Sequence, residues 1–387
     1  MIVAGVMSGT SADGINVALI RIQGSQPRRL LYRSPNFTFL GCAEYPYPAK
    51  VRQAVLAAMN GQNARVADLA RLSFLLGKLY ADAVTKTRKQ FRARIDLVGC
   101  HGQTLYHQGE AEAYFGRNLA CTWQTGDGSV TAGLLGIPVV SDFRPADMIA
   151  GGKGAPLVPY LDYLLYRDKH IGRIVQNLGG IGNLTAIPPN ATPGQMMAFD
   201  TGPGNMVIDA LMERLFGRSY DRDGKIAASG MVLEWVIREL LQSPFFRRRP
   251  PKTAGREEFG REFTEKFLQL CKGGSKRDIV ATATAFTAES IRHSLNKFVI
   301  GSRHRYKEYV VSGGGAKNGT LLAMLANRLK PIGLGIRLSD EFGIPSAAKE
   351  AVAFALMAYQ TWNRQPSNVP SATGARRPAI LGKISYV

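Results

Sequence analysis

Glycine-rich polar turns that follow short apolar runs are the parts of this sequence best suited to phosphate chemistry. The first, residues 8–14, is rich in hydroxyl groups and small side chains, so its backbone N–H groups could wrap a triphosphate. Two more turns follow apolar runs at residues 201–205 and 313–315, where glycines would let the backbone approach a ligand closely. The plainer interpretation is a hairpin turn for the first and strand-to-helix punctuation for the third.

Asp200 adds a candidate base to the second turn. Its carboxylate ends a hydrophobic run and precedes Thr-Gly-Pro-Gly-Asn, a turn with room for a phosphoryl group. A carboxylate in that place could accept a proton from a reacting group. The alternative is an N-cap aspartate for the helix that follows.

Two common nucleotide-binding motifs are missing from the sequence. No segment matches the G-x-x-x-x-G-K-[ST] phosphate loop, and no G-x-G-x-x-G opens a helix after the first apolar run. Three phosphate-sized turns spread over both halves of the chain instead predict a nucleotide clamped between two related domains. That arrangement is typical of sugar kinases, actin and the heat-shock chaperone ATPases.

The composition is that of a globular protein. Of 387 residues, 45% are hydrophobic and 20% are charged, which argues against disorder, and the length suggests two or three domains. The longest uncharged apolar stretch, residues 130–140, is too short for a membrane helix, and we expect no signal peptide. The four cysteines are scattered without a CxxC pair, so we expect neither a zinc site nor a disulfide framework.

The net charge of +20 makes nucleic acid the first partner to consider. The basic residues are spread along the chain, however, with small clusters at residues 247–249, 303–307 and 376–377. A general positive field also attracts small polyanions such as nucleotides and sugar acids. We therefore predict that nucleic acid is not a partner, and tight, salt-sensitive binding to DNA or RNA would contradict this.

Apolar patterning predicts the elements that position these turns. Helical spacing predicts helices over residues 51–59, 67–91 and 346–361, and short apolar runs predict strands over residues 2–7, 15–20, 96–99, 138–142, 174–178, 197–200 and 308–312. Residues 363–377 are rich in Pro, Ser and Arg, which predicts a mobile segment before a short last strand. We expect two α/β domains that share a cleft: residues 1–130 plus 343–387, and residues 131–342.

The order of the motifs resembles that of the anhydro-N-acetylmuramic acid kinases. The resemblance extends from the first strand to the helix at Glu350, and eight segments carry it: residues 7–14, 101–104, 142–147, 151–159, 177–183, 199–205, 250–257 and 313–318. It implies a two-domain, actin-like sugar-kinase ATPase fold with the active site in the inter-domain cleft. It also implies a cytoplasmic homodimer that acts in recycling of the bacterial cell wall.

The resemblance further implies a reaction. ATP and Mg²⁺ would convert 1,6-anhydro-N-acetylmuramic acid into N-acetylmuramic acid 6-phosphate, with water opening the 1,6-anhydro bond as O6 takes the γ-phosphoryl group. Asp200 resembles the catalytic base, and Asp13 would face the hydrated magnesium ion. The residues that resemble the ATP-binding set are Ser8, Gly9, Thr10, Ser11, Ala12, Asp13, Gly14, Ile15, Gly202, Gly204, Asn205, Gly313, Gly314, Gly315 and Asn318.

Polar residues on the matching segments could bind the sugar: His101, Gln103, Arg144, Asp147 and Glu350. Arg144 is the candidate for the lactyl carboxylate, because a guanidinium offers a planar pair of donors. Structural hydrogen bonds or ion pairs are the alternative for each of them. The chain departs from the family pattern at Asn16, at Lys153 and at residues 253–254, and none of these departures removes the base or a phosphate turn.

Two other functions remain open from the sequence. One is a kinase of the same fold that acts on another sugar acid, or that hydrolyses ATP slowly. The other is a non-catalytic, assembly-forming ATPase of the actin and chaperone kind. The Asp200 turn and the segment of residues 144–159 favour the kinase, whereas polymerisation on ATP without sugar turnover would favour the assembly protein.

Overall fold

A computed structural model describes residues 1–9, 11–23, 35–59, 64–301 and 306–387. The strands in these ranges are β1 (Ile2–Ser8), β2 (Gly14–Gln23), β3 (Asn36–Pro46), β4 (Leu97–Tyr114), β5 (Arg117–Thr125), β6 (Val139–Ser141), β7 (Gly172–Leu178), β8 (Ile181–Ile187), β9 (Met197–Pro203), β10 (Tyr306–Ser312), β11 (Gly335–Leu338) and β12 (Lys383–Ser385). The predicted α/β class is confirmed, because these strands form two sheets among helices.

The α-helices of the described ranges are α1 (Ala49–Met59), α2 (Val66–Gln90), α3 (Gly128–Leu135), α4 (Phe143–Ile149), α5 (Pro159–Tyr166), α6 (Met206–Phe216), α7 (Lys225–Ala228), α8 (Glu234–Leu240), α9 (Pro244–Arg247), α10 (Arg256–Phe259), α11 (Arg261–Leu270), α12 (Lys276–Phe298), α13 (Gly319–Leu329), α14 (Lys349–Trp362) and α15 (Pro370–Thr373). The helices predicted over residues 51–59, 67–91 and 346–361 are present as α1, α2 and α14. Among the described helices, none has the length and apolar character that crossing a membrane requires.

The chain divides into two compact units. The first unit consists of Met1–Leu164 and Gly343–Val387, and the second of Leu165–Phe342. The first division therefore differs from the sequence prediction, which placed it after residue 130. The reason is that β6 continues the first sheet and α3 packs against α2, so this stretch is part of the first unit. The cleft between domains stays a prediction.

The sheet of the first unit has the order β12-β6-β4-β1-β2-β3, with β5 paired to β4. Strands β1, β2 and β3 form an antiparallel meander, whereas β4 runs parallel to β1 and β6 runs parallel to β4. Helix α14 packs on β1 and β4. Glycine is needed there, because a Cβ at Gly5 or Gly99 would overlap the α14 carbonyl oxygens of Ala351 or Phe354.

The sheet of the second unit has the order β11-β10-β7-β8-β9. Its first three strands, β7, β8 and β9, are again an antiparallel meander, and β10 and β11 again extend it in parallel from the first strand. Its buried helix α12 begins with a capping box, in which Ser275 and Asp278 each bond to the other's backbone N–H. Because both sheets repeat one topology, the turn between β7 and β8 corresponds to the turn between β1 and β2.

The prediction of a mobile segment over residues 363–377 is wrong. This stretch contains α15, and its residues Ser367, Asn368, Val369 and Thr373 are buried. Its composition gave no sign of this order, because the segment is held by polar contacts rather than by an apolar stripe. The predicted last strand is present as β12, which pairs antiparallel with β6.

Candidate functional site

Two points of the backbone hold Asp200 on β9. Its own N–H donates to the carbonyl of Lys252 at 3.0 Å, and the N–H of Ala254 donates to its Oδ2 at 2.7 Å. The 250–257 motif therefore lies directly against the candidate base. This contact brings together two segments that lie far apart in the sequence.

The surroundings of Asp200 adjust its acidity. Burial raises the pKa of Asp200 to about 7, with the Ala254 N–H and the Lys252 charge acting against the rise and the Glu257 charge adding to it. A carboxylate whose pKa lies near neutrality can take up a proton in a reaction and release it afterwards. The site thus has the acidity expected of a general base.

Lys252 is a buried cation beside this base. Its ammonium donates to the carbonyl of Phe245 at 3.1 Å and lies within 6 Å of the rings of Phe199, Phe245, Phe246 and Phe298. Burial lowers the pKa of Lys252 to about 8, and the neighbouring Lys297 and Arg248 contribute to this lowering. Sequence analysis did not single out Lys252, although it belongs to a motif that carried the family resemblance.

The predicted second phosphate turn is bound to another turn of the same unit. The N–H groups of Gly204 and Asn205 donate to the carbonyls of Gly180 and Gly179 at 2.9 and 2.8 Å. A Cβ at Gly204 would overlap the Gly179 carbonyl, and Gly202 has a φ of +142° where it packs against Ser290. Glycine at 202 and 204 therefore serves the packing of the turn.

Gly179 and Gly180 were missed as site residues. They form the turn between β7 and β8, in the position that the candidate phosphate turn occupies between β1 and β2. A Cβ at Gly180 would meet nothing closer than 3.5 Å, so packing does not require glycine there. The 177–183 motif already contained these glycines, but only the repeated sheet topology shows that their turn corresponds to the one between β1 and β2.

In the third turn, packing requires glycine at two positions, and the remaining glycine has free space beside it. A Cβ at Gly313 would lie 2.5 Å from the Asn177 Oδ1, and one at Gly315 would lie 2.7 Å from the Leu178 side chain. At Gly314 the nearest atom would be 3.6 Å away. Asn318 caps α13, since its Oδ1 accepts the N–H of Leu321 at 3.0 Å.

A cavity of about 550 Å³ in the second unit brings residues of these turns together. Its size is within the range of small-ligand sites. Three of its lining residues were predicted from the sequence, namely Asn205, Gly314 and Asn318, whereas Ile208, Asp209, Ser219, Tyr220, Asp221, Arg222, Asp223 and Lys317 were not. A larger cavity of about 1130 Å³ shares Asp209 and Ser219 with it. Burial raises the pKa of Asp209 to about 6.

In the first unit, buried side chains support the turn after β1. The Ser8 hydroxyl donates to the Gln103 Oε1 at 2.6 Å and lies 2.8 Å from the Tyr47 hydroxyl. The Gln103 Nε2 donates to the carbonyl of Gly9 at 3.1 Å. Gln103, predicted as a substrate contact, thus fixes the turn that was predicted to bind phosphate.

The rest of that turn leaves one carboxylate accessible. Ala12 has a φ of +53° and donates to the Gly9 carbonyl at 3.1 Å, which folds the turn back on itself. Asp13 is exposed and has a loose 3.4 Å ion pair with Arg52. Gly14 and Ile15, which were also predicted to bind ATP, are the first two residues of β2. Thr10 lies outside the described residues.

No group of three or more His, Cys, Asp or Glu side chains in the described ranges could hold a metal ion by itself. A magnesium ion bound through one carboxylate and several waters would not require such a group. Asp13 fits that mode of binding because its carboxylate is exposed beside the turn, close in sequence to Ser11.

Arg144 and His101 form a fixed pair in the first unit. The His101 Nδ1 lies 2.7 Å from the Gly102 carbonyl, and its Nε2 faces the Arg144 Nε and NH2 at 3.1 and 2.9 Å. These partners assign the proton to Nδ1 and the lone pair to Nε2. Burial and the Arg144 charge lower the pKa of His101 to about 3, so the ring is neutral. His101 therefore orients the guanidinium.

Two carboxylates act on Arg144 in different ways. Burial lowers the pKa of Arg144 to about 10, opposed first by Glu350 and then by Asp147. Glu350 lies in the first turn of α14, and desolvation raises its pKa against the effects of Arg144 and Lys349. Asp147 is fully buried, and hydrogen-bond donors of the protein already surround its oxygens.

The whole chain matches one family of known proteins. The family model described as anhydro-N-acetylmuramic acid kinase covers residues 1–387. Relatives of that name from two Bacillus species, Bacillus cereus and Bacillus anthracis, are each 42% identical over 389 aligned positions, which include 100% of this chain and 99% of theirs. The chain belongs to the anhydro-N-acetylmuramic acid kinase family. The resemblance drawn from the motifs is confirmed, and with it the kinase class and the use of ATP.

The chain also resembles several solved structures, at much lower sequence identity. Xylulose kinase from Rhodospirillum rubrum gives a TM-score of 0.44 at 11% identity, covering 93% of this chain and 90% of that one. A ROK hexokinase from Thermus thermophilus gives 0.41 at 12% identity, covering 94% and 100%. Scores of this size carry no argument about the site.

Proposed function

We propose that the protein transfers the γ-phosphoryl group of ATP to O6 of 1,6-anhydro-N-acetylmuramic acid while water adds at C1. The bond between C1 and O6 breaks, and the product is N-acetylmuramic acid 6-phosphate. The observation that carries this proposal is the family match over residues 1–387, with relatives 42% identical over the entire chain.

Asp200 would be the base that takes the proton from the attacking water. The Ala254 N–H holds its Oδ2, so Oδ1 is the oxygen for the water. A pKa of about 7 supports the role, because the group is then ionised just above neutrality and can hold the proton transiently. The departing O6 would become the nucleophile for the γ-phosphoryl group.

The nucleotide would be bound by backbone groups of the turns. We propose that the turn of residues 8–14 and the turn of residues 179–180 each bind phosphate oxygens, with the adenosine in the cavity at Asn205, Gly314 and Asn318. Asp13 would hold a hydrated Mg²⁺ ion, which would neutralise charge on the transferring phosphates. The other glycines of the second and third turns would contribute by shaping them: Gly202, Gly204, Gly313 and Gly315.

The sugar acid would be recognised from Arg144. Its guanidinium is oriented by His101 and by the Gly154 carbonyl, and it is suited to the lactyl carboxylate. Glu350 would accept hydrogen bonds from sugar hydroxyls. Gln103 and Asp147 would act through the Ser8 turn and through Gly154, which they contact.

We also propose a cytoplasmic homodimer. ATP is a cytoplasmic co-substrate, and the four cysteines are free, which suits a reducing compartment. The dimer rests on the family resemblance, and its test is the mass in solution by sedimentation equilibrium. A mass that stays that of one chain at all concentrations would contradict it.

A product analysis tests the reaction. The protein is incubated with ATP, Mg²⁺, the anhydro-sugar and ¹⁸O-labelled water, and the product is examined by mass spectrometry. One product with a phosphate and a single ¹⁸O at C1 is expected. Unchanged sugar beside intact ATP would exclude this substrate, and unchanged sugar with ADP would point to an ATPase.

A further inference from the structure

The carboxylate of Asp147 joins two segments of the first unit. One is the glycine loop, residues 151–156, and the other is the C-terminal clamp, residues 367–376. The Asp147 Oδ1 accepts from the Asn368 Nδ2 and from the Thr373 hydroxyl, each at 2.8 Å, and its Oδ2 accepts from the Gly154 N–H at 2.9 Å. Asp147 is fully buried, so these protein donors replace water.

Backbone bonds tie the same two segments together. The N–H of Lys153 donates to the Thr373 carbonyl, and the N–H of Arg376 donates to the Ala150 carbonyl, both at 2.8 Å. A Cβ at Gly152 would overlap the Asp147 Oδ2 and lie 2.9 Å from the Thr373 hydroxyl. The glycine loop is therefore shaped around the carboxylate and the clamp.

The loop in turn fixes the direction of Arg144. The Arg144 NH1 donates to the carbonyl of Gly154 at 2.8 Å, while Nε and NH2 face His101. The guanidinium has five N–H groups and these contacts use three of them, which leaves one on each terminal nitrogen. Such a pair matches the two oxygens of a carboxylate ligand.

We propose that Asp147 is a positioning residue, through which the C-terminal clamp sets the orientation of Arg144 for the carboxylate of the substrate. The inference rests on the proposed function, in which Arg144 binds the lactyl carboxylate. Asp147 then influences the sugar without touching it. The segment that the sequence presented as a tail becomes part of the specificity of the enzyme.

Thr373 gives a matched pair of variants for the test. Thr373→Val keeps the shape and removes the hydroxyl donor to Asp147, whereas Thr373→Ser keeps the donor. KM is measured for ATP, for the anhydro-sugar acid and for its neutral lactyl amide. For Thr373→Val we expect KM for the acid to rise roughly 5- to 30-fold, the effect of losing one buried hydrogen bond, with KM for ATP unchanged. With the neutral amide, the variant and the natural protein should have equal KM values, and Thr373→Ser should restore the KM for the acid.

The outcomes separate this inference from the proposed function. If the natural protein does not turn over the acid, the proposed function fails and the inference fails with it. If it does, an equal rise in KM for acid and amide, or no rise at all, overturns the inference alone. Asn368→Ala removes the second donor to Oδ1 and must give the same dependence on the substrate carboxylate. This variant also decides the matter if Thr373→Val does not fold.

Discussion

The N–H of Ala254 donates a 2.7 Å hydrogen bond to the Oδ2 of Asp200, across a separation of 54 residues. In the opposite direction, the N–H of Asp200 donates to the carbonyl of Lys252, so two hydrogen bonds join the two segments. One oxygen of the candidate base is thereby fixed in place by the backbone. Precise placement of this kind is what a proton acceptor requires, since small misplacements of a catalytic group are costly in rate.

Replacing Asp200 should slow the chemistry strongly without disturbing the fold. Asp200→Asn keeps an oxygen for the Ala254 N–H but cannot take up a proton at neutral pH. We expect kcat to fall about 10²- to 10⁴-fold, measured by product formation in a coupled ADP assay. Asp168→Asn, at a turn of the same unit, is the control and should retain activity. Normal turnover by Asp200→Asn would remove the residue from its assigned role.

The pH dependence of kcat/KM should report the acidity of Asp200. The base must be ionised, so kcat/KM should fall as pH drops below the pKa of about 7 in the free enzyme. Lys252→Met keeps an apolar side chain among the phenylalanines and removes a charge that lowers this pKa. The acid limb of the profile should then move to higher pH. Lys272→Met is the control, because Lys272 is an exposed lysine of the same unit and is none of the charges that shift the pKa of Asp200 or of Lys252. An identical shift in both variants would contradict the assignment.

The Asp200 carboxylate should also destabilise the folded protein at alkaline pH. Its folded pKa of about 7 lies above the ordinary 3.8, so the folded state binds more protons between these values and stability falls as pH rises through them. The asparagine of Asp200→Asn does not ionise. At pH 8 we expect this variant to be more stable than the natural protein by up to about 4 kcal/mol, with the gap closing near pH 4. Urea unfolding at both pH values measures the free energies of unfolding of the two proteins. A difference that grows toward low pH would show that folding lowers the pKa of Asp200 rather than raising it.

Gln103 should influence ATP through the turn that it supports. Gln103→Leu leaves the Ser8 hydroxyl without this acceptor and the Gly9 carbonyl without this donor. We expect KM for ATP to rise by about tenfold, in line with the loss of a buried hydrogen bond. Gln108→Leu, on the exposed β4–β5 hairpin, serves as the control. A change confined to KM for the sugar would instead support direct contact with the substrate.

Gly180 of the β7–β8 turn and Gly204 of the second turn are hydrogen-bonded through their backbones, but they should respond differently to alanine. A methyl group at Gly180 would not collide with any protein atom, so the thermal stability of Gly180→Ala should be unchanged. Its activity should fall, because a ligand phosphate needs the space that the methyl group would fill. Gly204→Ala overlaps the Gly179 carbonyl and should lower stability as well as activity. Differential scanning fluorimetry beside the ADP assay separates the two. Full activity in Gly180→Ala would exclude phosphate from the β7–β8 turn.

Local patterns were enough to predict α1, α2 and most of the strands, as well as the turn after β1. Each of these depends on short-range features: apolar spacing over α2, or a buried run such as residues 3–6 in β1. The grouping of Asp200 with the 250–257 motif was visible only as a resemblance. No spacing rule links residues 54 positions apart, since the fold alone brings Ala254 to Asp200.

The polar interior of the first unit could not be predicted. Asp147, Asn368 and Thr373 are residue types that usually lie at the surface, and no periodicity distinguishes them. Their burial follows from mutual hydrogen bonding, which sequence patterns do not encode. For the same reason the roles of Gln103 and His101, which support a turn and a guanidinium, emerged only with their partners in place.

The placement of α14 has a consequence for synthesis of the chain. This helix covers β1 and β4 at Gly5 and Gly99, yet it is translated long after β4, and every residue of the second unit is made in between. On the ribosome the second unit can therefore complete its core while one face of the first sheet still exposes apolar strands. We expect the nascent first unit to remain a client of chaperones until the last helix emerges, and its folding to be the slow, post-translational step.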